Sequence, residues 1–364
     1  LATPDVSVAD LIGDVDPIKA ATLKLPYSDE RVIHYGLIPR SHRGIFVINE
    51  LPDLQARIQV ALFNILQEGD IQIRGFKLRL PLDLQFVFTA NPEDYTNRGS
   101  IITPLKDRID AQIITHYPES IEIGRKITTQ EAALKEDQIE AVEMNELSKD
   151  LIEQIAIEAR NSEYIDEKSG VSARLTISAY ESLVSAAERR ALINNEKKVY
   201  VRMSDFTGVV PSITGKVELV YEGEQEGPGI VAQTLVGKAI RSQFDKYFPN
   251  PEELRKDREK KNPYRPISKW FNDGKKIDLL HDDNENEYKK KLDSIPGLKD
   301  LVKSQHKKLT EKETYFMMEF SLHGMAEYSL LSKHALSKGH SFKDLLSSML
   351  NFEDSSGNDD DFNI

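Results

Sequence analysis

Four consecutive apolar residues of β-forming type, Ile45, Phe46, Val47 and Ile48, end abruptly in Asn49 and Glu50. This pattern predicts a short buried strand that delivers a polar pair at its carboxyl end. Residues 51–67 follow with Leu54, Ile58, Ala61, Leu62, Ile65 and Leu66 at close to helical spacing, and Glu68-Gly69-Asp70 stops them, which predicts one amphipathic helix. Residues 71–80 then alternate apolar and polar side chains across a central Arg74-Gly75, the signature of a β-hairpin that exposes Arg74, Lys77 and Arg79. A second apolar run, residues 84–90, ends in Asn91, and a third short strand is expected over residues 111–116.

Ahead of the first strand the pattern weakens, and residues 1–43 read as loop-rich with a short helical stretch at 7–11. Beyond residue 126 the period becomes helical. Residues 127–165 carry Leu147, Leu151, Ile152, Ile155 and Ile157 among charges, and a strong helix is expected from Ser169 through Ala191. Residues 201–206 read as a further helix, 215–221 as its continuation or a strand, and 222–229 as an acidic loop broken by glycine and proline. Helices are then expected at 230–248, 310–331 and 342–350, with Met317, Met318, Phe320, Leu322 and Met325 as core, and a disordered acidic tail at 353–364. The segment 252–276 interleaves Lys and Arg with Tyr264, Trp270 and Phe271. Its alternating acids favour a helical partner-docking surface over a nucleic-acid surface.

At 364 residues the chain is long enough for two or three domains. Forty-eight basic against 60 acidic residues give a formal net charge of -12, so no global field draws it to nucleic acid or anionic membrane. Cysteine is absent, which excludes disulfides, thiol nucleophiles and cysteine-ligated zinc and fits a reducing cytoplasm. No apolar run approaches the roughly 18 residues that span a bilayer, and the opening residues carry no signal peptide. The first residue is Leu1, and the chain reads as one entered partway through.

The chemistry is expected where the two buried strands end, because open α/β sheets bind ligands beyond the carboxyl ends of their strands. In nucleotide hydrolases such a strand-end pair serves magnesium with its first member and orients and deprotonates the attacking water with its second, here Glu50. Asn91 can hold that water or a phosphate oxygen through a neutral hydrogen bond. His34 and His42 lack a third ligand at a sensible spacing and read as surface histidines.

Taken in order, these residues resemble the AAA+ ATPases, in the branch of the magnesium chelatase ATPase subunit and the MoxR-type ATPases. Arg43-Gly44-Ile45-Phe46-Val47-Ile48-Asn49-Glu50 resembles that branch's Walker B strand, Phe88-Thr89-Ala90-Asn91-Pro92-Glu93 its sensor 1, and residues 71–80 the hairpin inserted before sensor 1. Arg108 in Pro104-Leu105-Lys106-Asp107-Arg108 matches the arginine finger offered to a neighbouring subunit's ATP, and Arg174 in Gly170-Val171-Ser172-Ala173-Arg174 matches the sensor 2 arginine. The resemblance implies an α/β fold, a partial AAA+ parallel-sheet core at 1–125, an all-helical lid at 126–235 and a helical C-terminal extension at 236–352. It implies ATP and Mg2+ as cofactors, with Asn49 and Glu50 toward the metal. A cytoplasmic hexameric ring that remodels a partner protein is implied as well, the partner carrying a von Willebrand A domain.

Two departures alter that expectation. Asn49 stands where the family has aspartate, so it adds no charge to the metal site. No Gly-x4-Gly-Lys-Ser/Thr loop occurs in the chain, and Val236-Gly237-Lys238-Ala239 lacks both the leading glycine and the hydroxyl. The phosphate loop is expected upstream of Leu1, and the 364 residues alone are expected to bind ATP poorly. A hydrolysis-poor ring scaffold, motivated by Asn49, and a DNA translocase, motivated by the basic hairpin, are the alternative readings.

Overall fold

The structure is a computed structural model that describes residues 1–73, 76, 79–91, 100–167, 169–256, 262–336 and 338–345. The chain divides into two compact units, Leu1–His116 and Tyr117–Ile364.

The first unit opens with more order than its weak periodicity predicts, because short polar caps fix each element. Ser7 and Asp10 form a reciprocal capping box on α1 (Val8–Leu11). After β1 (Gly13–Val15), Asp16 caps α2 (Pro17–Leu23), which has proline in its first turn. Antiparallel β2 (Ile33–Tyr35) pairs with β1, and α3 (Leu37–Arg40) leads to β3 (Ile45–Ile48). A 3-10 turn, Leu51–Asp53, precedes α4 (Ala56–Glu68), which ends at Gly69 in the left-handed conformation, φ 65°. The α4 side chains Ile58, Leu62 and Ile65 are buried against Phe46, Ile48 and Leu105 in one apolar cluster, each contributing about 1.5 to 3 kcal/mol.

Strands β4 (Asp70–Gln72) and β5 (Arg79–Pro81) are the antiparallel arms of the expected hairpin. Arg74, Gly75, Lys77 and Leu78 lie outside the described residues, while Arg79 faces Asp70 at 3.6 Å. Strand β6 (Gln85–Phe88) is the parallel partner of β3, in the register Ile45↔Gln85 to Ile48↔Phe88. Ala2 adds a parallel bridge to Ile48. α5 (Thr103–Lys106) follows. Residues 111–116 form no strand, contrary to the sequence pattern: β-forming side chains make a strand only beside a partner edge. Ile113 and Ile114 are 89% and 80% exposed.

The second unit holds one continuous core from Leu147 to Phe342. It begins with α6 (Ile121–Glu131), α7 (Glu136–Ala141), β7 (Val142–Glu143), α8 (Glu146–Arg160) and α9 (Arg174–Asn194). β8 (Val199–Tyr200) runs parallel to β7 and enters the 3-10 helix Met203–Val209, then α10 (Val210–Thr214), α11 (Tyr221–Glu226) and α12 (Pro228–Tyr247). The stretch expected as an acidic loop is therefore mostly helical, and the break is confined to Gly227 at φ 91°. The expected boundaries at 125 and 235 fall inside α6 and α12.

α13 (Pro251–Lys256), α14 (Arg265–Asn272), β9 (Ile277–Leu280), α15 (Glu285–Asp293), α16 (Leu298–Gln305), α17 (Glu311–Glu327), β10 (Ser332–Leu336) and β11 (Gly339–Lys343) complete the described chain. The last two strands join β9 in an antiparallel sheet, order β10-β11-β9. This corrects the wholly helical extension. Phe342 was expected to open a helix but is buried in β11 opposite Ile277, and a short apolar run cannot by itself distinguish strand from helix. Tyr264 and Phe271 are buried too, and Tyr264 Oη donates to Pro249 O at 2.6 Å, so these aromatics offer no stacking platform. Met317, Met318, Phe320, Leu322 and Met325 are buried in α17. The tail 353–364 lies outside the described residues. No helix among the described residues is long and apolar enough to cross a membrane.

The small sheet carries a pH dependence. His323 packs against His340 with ring centroids 5.1 Å apart, and His340 lies 6.3 Å from His281. Among the described residues both His323 nitrogens, His340 Nδ1 and His281 Nε2 have no hydrogen-bond partner. Burial, then Lys333 and His281, pulls the His340 pKa down to about 4. Burial, then Lys333 and His340, holds His323 well below the usual histidine value, and burial lowers His281 against the pull of Asp205 and Asp282. Unfolded histidines take up protons near pH 6.5. The native ones do so only at lower pH, so stability is full above 6.5 and falls as pH drops toward 4. His340 alone accounts for about 3 kcal/mol over that window. Urea midpoints across pH 4–7 should fall steeply for the wild type and less for His340→Phe; equal slopes would refute the assignment.

Candidate functional site

The parallel pairing of β3 with β6 brings the two polar strand ends of the first unit together. Their register continues one step past the strands, since Thr89 N donates to Ile48 O at 3.0 Å and Leu51 N to Thr89 O at 2.9 Å. Between them Thr89 acts as a clasp. Its Oγ1 accepts from Glu50 N at 3.1 Å and donates to Asn49 Oδ1 at 2.8 Å. On the far side Ala2 N donates to Val47 O at 2.8 Å and Asn49 N to Ala2 O at 3.0 Å, closing the other edge of β3.

Glu50 leaves the strand in the left-handed region, φ 51° and ψ 59°, a conformation that a residue with a Cβ adopts at a cost of about 1 kcal/mol or more. Asn49 and Glu50 are half-buried, and Asn91, just past β6, is exposed. An acid and two amides thus follow the same ends of two adjoining parallel strands. Residues 92–99 lie outside the described chain.

Arg108 is the third expected member in this unit. Its guanidinium lies 4.1 Å over the Phe63 ring, donates to Pro104 O at 2.8 Å and to Gln67 Oε1 at 3.1 Å, and meets Asp107 at 3.4 Å. The charge is held on the α4 surface with 29% of the side chain exposed. Arg174 belongs to the second unit, where it is the exposed first residue of α9. The N-cap residue Ala173 makes no side-chain cap bond, while Arg174 N donates to Ser172 Oγ at 3.2 Å.

Two contributors were missed by the sequence reading. Thr89 lies inside the sensor 1 stretch, where only Asn91 is given a role, and its hydroxyl matters through a neighbour 40 positions away. Gln59 is buried at 1% exposure, donating to Leu54 O and Ser100 O and accepting from Ile102 N at 2.9 Å. It ties α4 to the segment that leads to Arg108. A polar residue on the apolar stripe of a predicted helix was the available signal.

Among the described residues no group of three or more His, Asp or Glu side chains could hold a metal ion. Magnesium at a nucleotide site takes only one or two protein oxygens, the remainder coming from phosphates and water. Asn49 Oδ1, which accepts from Thr89 Oγ1, and the Glu50 carboxylate are the candidate oxygens at the end of β3. The Gly-rich loop that would cradle the phosphates is not among these 364 residues.

A parallel strand pair with an acid and amides at its carboxyl ends is the layout of an α/β ligand-binding core. In sequence, the chain is 26% identical over 129 residues to the magnesium-chelatase 38 kDa subunit of Cereibacter sphaeroides. The match covers 35% of this chain and 36% of that subunit, so the chain spans about a third of the length of the relative it matches. That relative bears the name of the branch that the ordered motifs resemble. No family model matches the chain. A crystal structure of a candidate ATPase from Cytophaga hutchinsonii aligns over 64% of this chain and 74% of its own at 20% identity, with a TM-score of 0.26, too low to carry an argument.

Proposed function

We propose that the chain is part of an AAA+ ATPase of the magnesium chelatase and MoxR kind, a subunit of a hexameric ring that couples ATP hydrolysis to remodelling a partner protein. The observation that carries this reading is the parallel pairing of β3 with β6, past whose carboxyl ends come Asn49, Glu50 and Asn91, with Thr89 bonded to Asn49 Oδ1 and Glu50 N. The similarity to a magnesium-chelatase subunit supports it. Glu50 takes the proton of the attacking water, and Asn91 fixes that water or a phosphate oxygen. Bound Mg2+ would supply charge neutralisation on the phosphates. Asn49 adds a hydrogen bond there and no charge.

Arg108 would spread positive charge over the phosphoryl group of a neighbouring subunit, an effect worth about 10³ to 10⁵ in rate in related systems. Its seat on Phe63 and Gln67, beside Asp107, holds the guanidinium on the α4 surface. Arg174 is assigned to the γ-phosphate, and a von Willebrand A domain is the expected partner. Steady-state ATP hydrolysis by the protein expressed from its complete reading frame tests this. Glu50→Gln should lower the rate by about 10² to 10⁴. Equal, low rates for wild type and variant would favour a hydrolysis-poor ring scaffold, the reading that the uncharged Asn49 supports.

A further inference from the structure

In the second unit, around β8, α15 and the start of α17, there is a cavity of about 30 Å3 whose lining includes Tyr200, Arg202, Tyr288, Lys289 and Lys312. That volume suits about two waters, or one group of similar bulk. Arg202 is its unusual member. The residue is 4% exposed, yet among the described residues its guanidinium makes one hydrogen bond, from Nη1 to Asp283 O at 2.7 Å, and no ion pair. It rests 4.0 Å over the Tyr288 ring, and a guanidinium has five N–H donors, so most of them remain to be matched.

The carboxylates nearby are committed elsewhere. Asp205 grips Arg190 at 2.8 Å and accepts the Arg202 backbone N–H at 2.8 Å. Glu319, fully buried, accepts Met203 N and Ser204 N at 2.9 Å and the Tyr288 hydroxyl at 2.8 Å. At the rim, Lys289 spans Glu285 at 2.8 Å and Glu311 at 3.2 Å, and Lys312 meets Glu143 at 2.7 Å. The cavity lining includes the cations Arg190, Arg202, Lys289 and Lys312 and the acids Glu196 and Glu285. Burial, then repulsion from Arg190, lowers the Arg202 pKa against the pull of Tyr288, Asp205 and Glu319. An oxyanion would complete this arrangement, because the Nε–Nη2 edge of a guanidinium matches a carboxylate or phosphate in a two-point contact.

We propose that this cavity binds a small oxyanion group, carboxylate or phosphate, seated on the free edge of Arg202 and held at the rim by Lys289 and Lys312. The site lies within the second unit and does not depend on the ATPase reading. Thermal unfolding of the chain at constant ionic strength, with inorganic phosphate, acetate or chloride added, tests it. Phosphate or acetate should raise the melting temperature in a saturable way where chloride does not, and whichever acts identifies the source. Arg202→Met should weaken that binding by about 10- to 100-fold, the span for one charge-assisted contact, and Lys312→Gln by several-fold. No saturable shift with either anion, or an unchanged one in both variants, would overturn the proposal. If Arg202→Met does not fold, Lys312→Gln decides, since its side chain lies at the partly exposed rim.

Discussion

Asp205→Ala should lower the unfolding free energy of the second unit by about 3 to 5 kcal/mol, the cost of leaving one member of a buried ion pair alone. Arg190 and Asp205 have side chains only 2% and 3% exposed and meet through two contacts, Nε to Oδ1 at 3.1 Å and Nη2 to Oδ2 at 2.8 Å. Removing the carboxylate strands the Arg190 guanidinium in a dry interior and also takes the acceptor from Arg202 N. The remaining Arg190 bond, to Tyr200 O at 2.9 Å, supplies no charge. Replacing both residues together by apolar ones should cost less than the single change, because a buried pair loses to desolvation much of what it gains in attraction. Chemical denaturation of the two variants measures this. A single variant within about 1 kcal/mol of wild type would mean that water reaches the pair.

Gly324→Ala is the second large effect, at about 3 kcal/mol destabilising, within or just above the usual range for overpacking a core. A Cβ at Gly324 would stand 2.0 Å from Phe244 Cδ2 and 2.4 Å from its Cε2. That ring cannot move aside cheaply. Phe244 is fully buried, with Phe248, Tyr264, Phe320 and Tyr328 ring centroids 5.1 to 6.2 Å away. Alanine's better helix propensity returns no more than about 1 kcal/mol. The double change Gly324→Ala with Phe244→Leu should recover part of the loss, a coupling that denaturation of the four proteins of the cycle would measure. A neutral or stabilising single change would refute the close helix approach.

What could be read along the chain was what neighbouring residues decide among themselves. The run at 45–48 with its polar end and the helical stripe through Ile58, Leu62 and Ile65 are set by local period and form where the pattern places them, although Ile45 is 69% exposed, whereas α17 is buried on every side from Thr314 to Met325. The failures share one cause. Residues 111–116 have strand-forming side chains, but pairing depends on an edge elsewhere, and β9, β10 and β11 are too short for period alone to separate from helix. The same holds at the strand-end site. Its residue types were visible, whereas the Thr89 clasp, the Gln59 tie and the seating of Arg108 on Phe63 join positions about 40 apart, and no local rule indicates them.

The Thr89 hydroxyl accepts from Glu50 N and gives its single proton to the Asn49 carbonyl. The amide of Asn49 turns its oxygen to Thr89. Its NH2 hydrogens are left over, making the position beside Glu50 chiefly a giver of hydrogens to incoming oxygen lone pairs. An aspartate there would have none to give and would add a second negative charge beside Glu50.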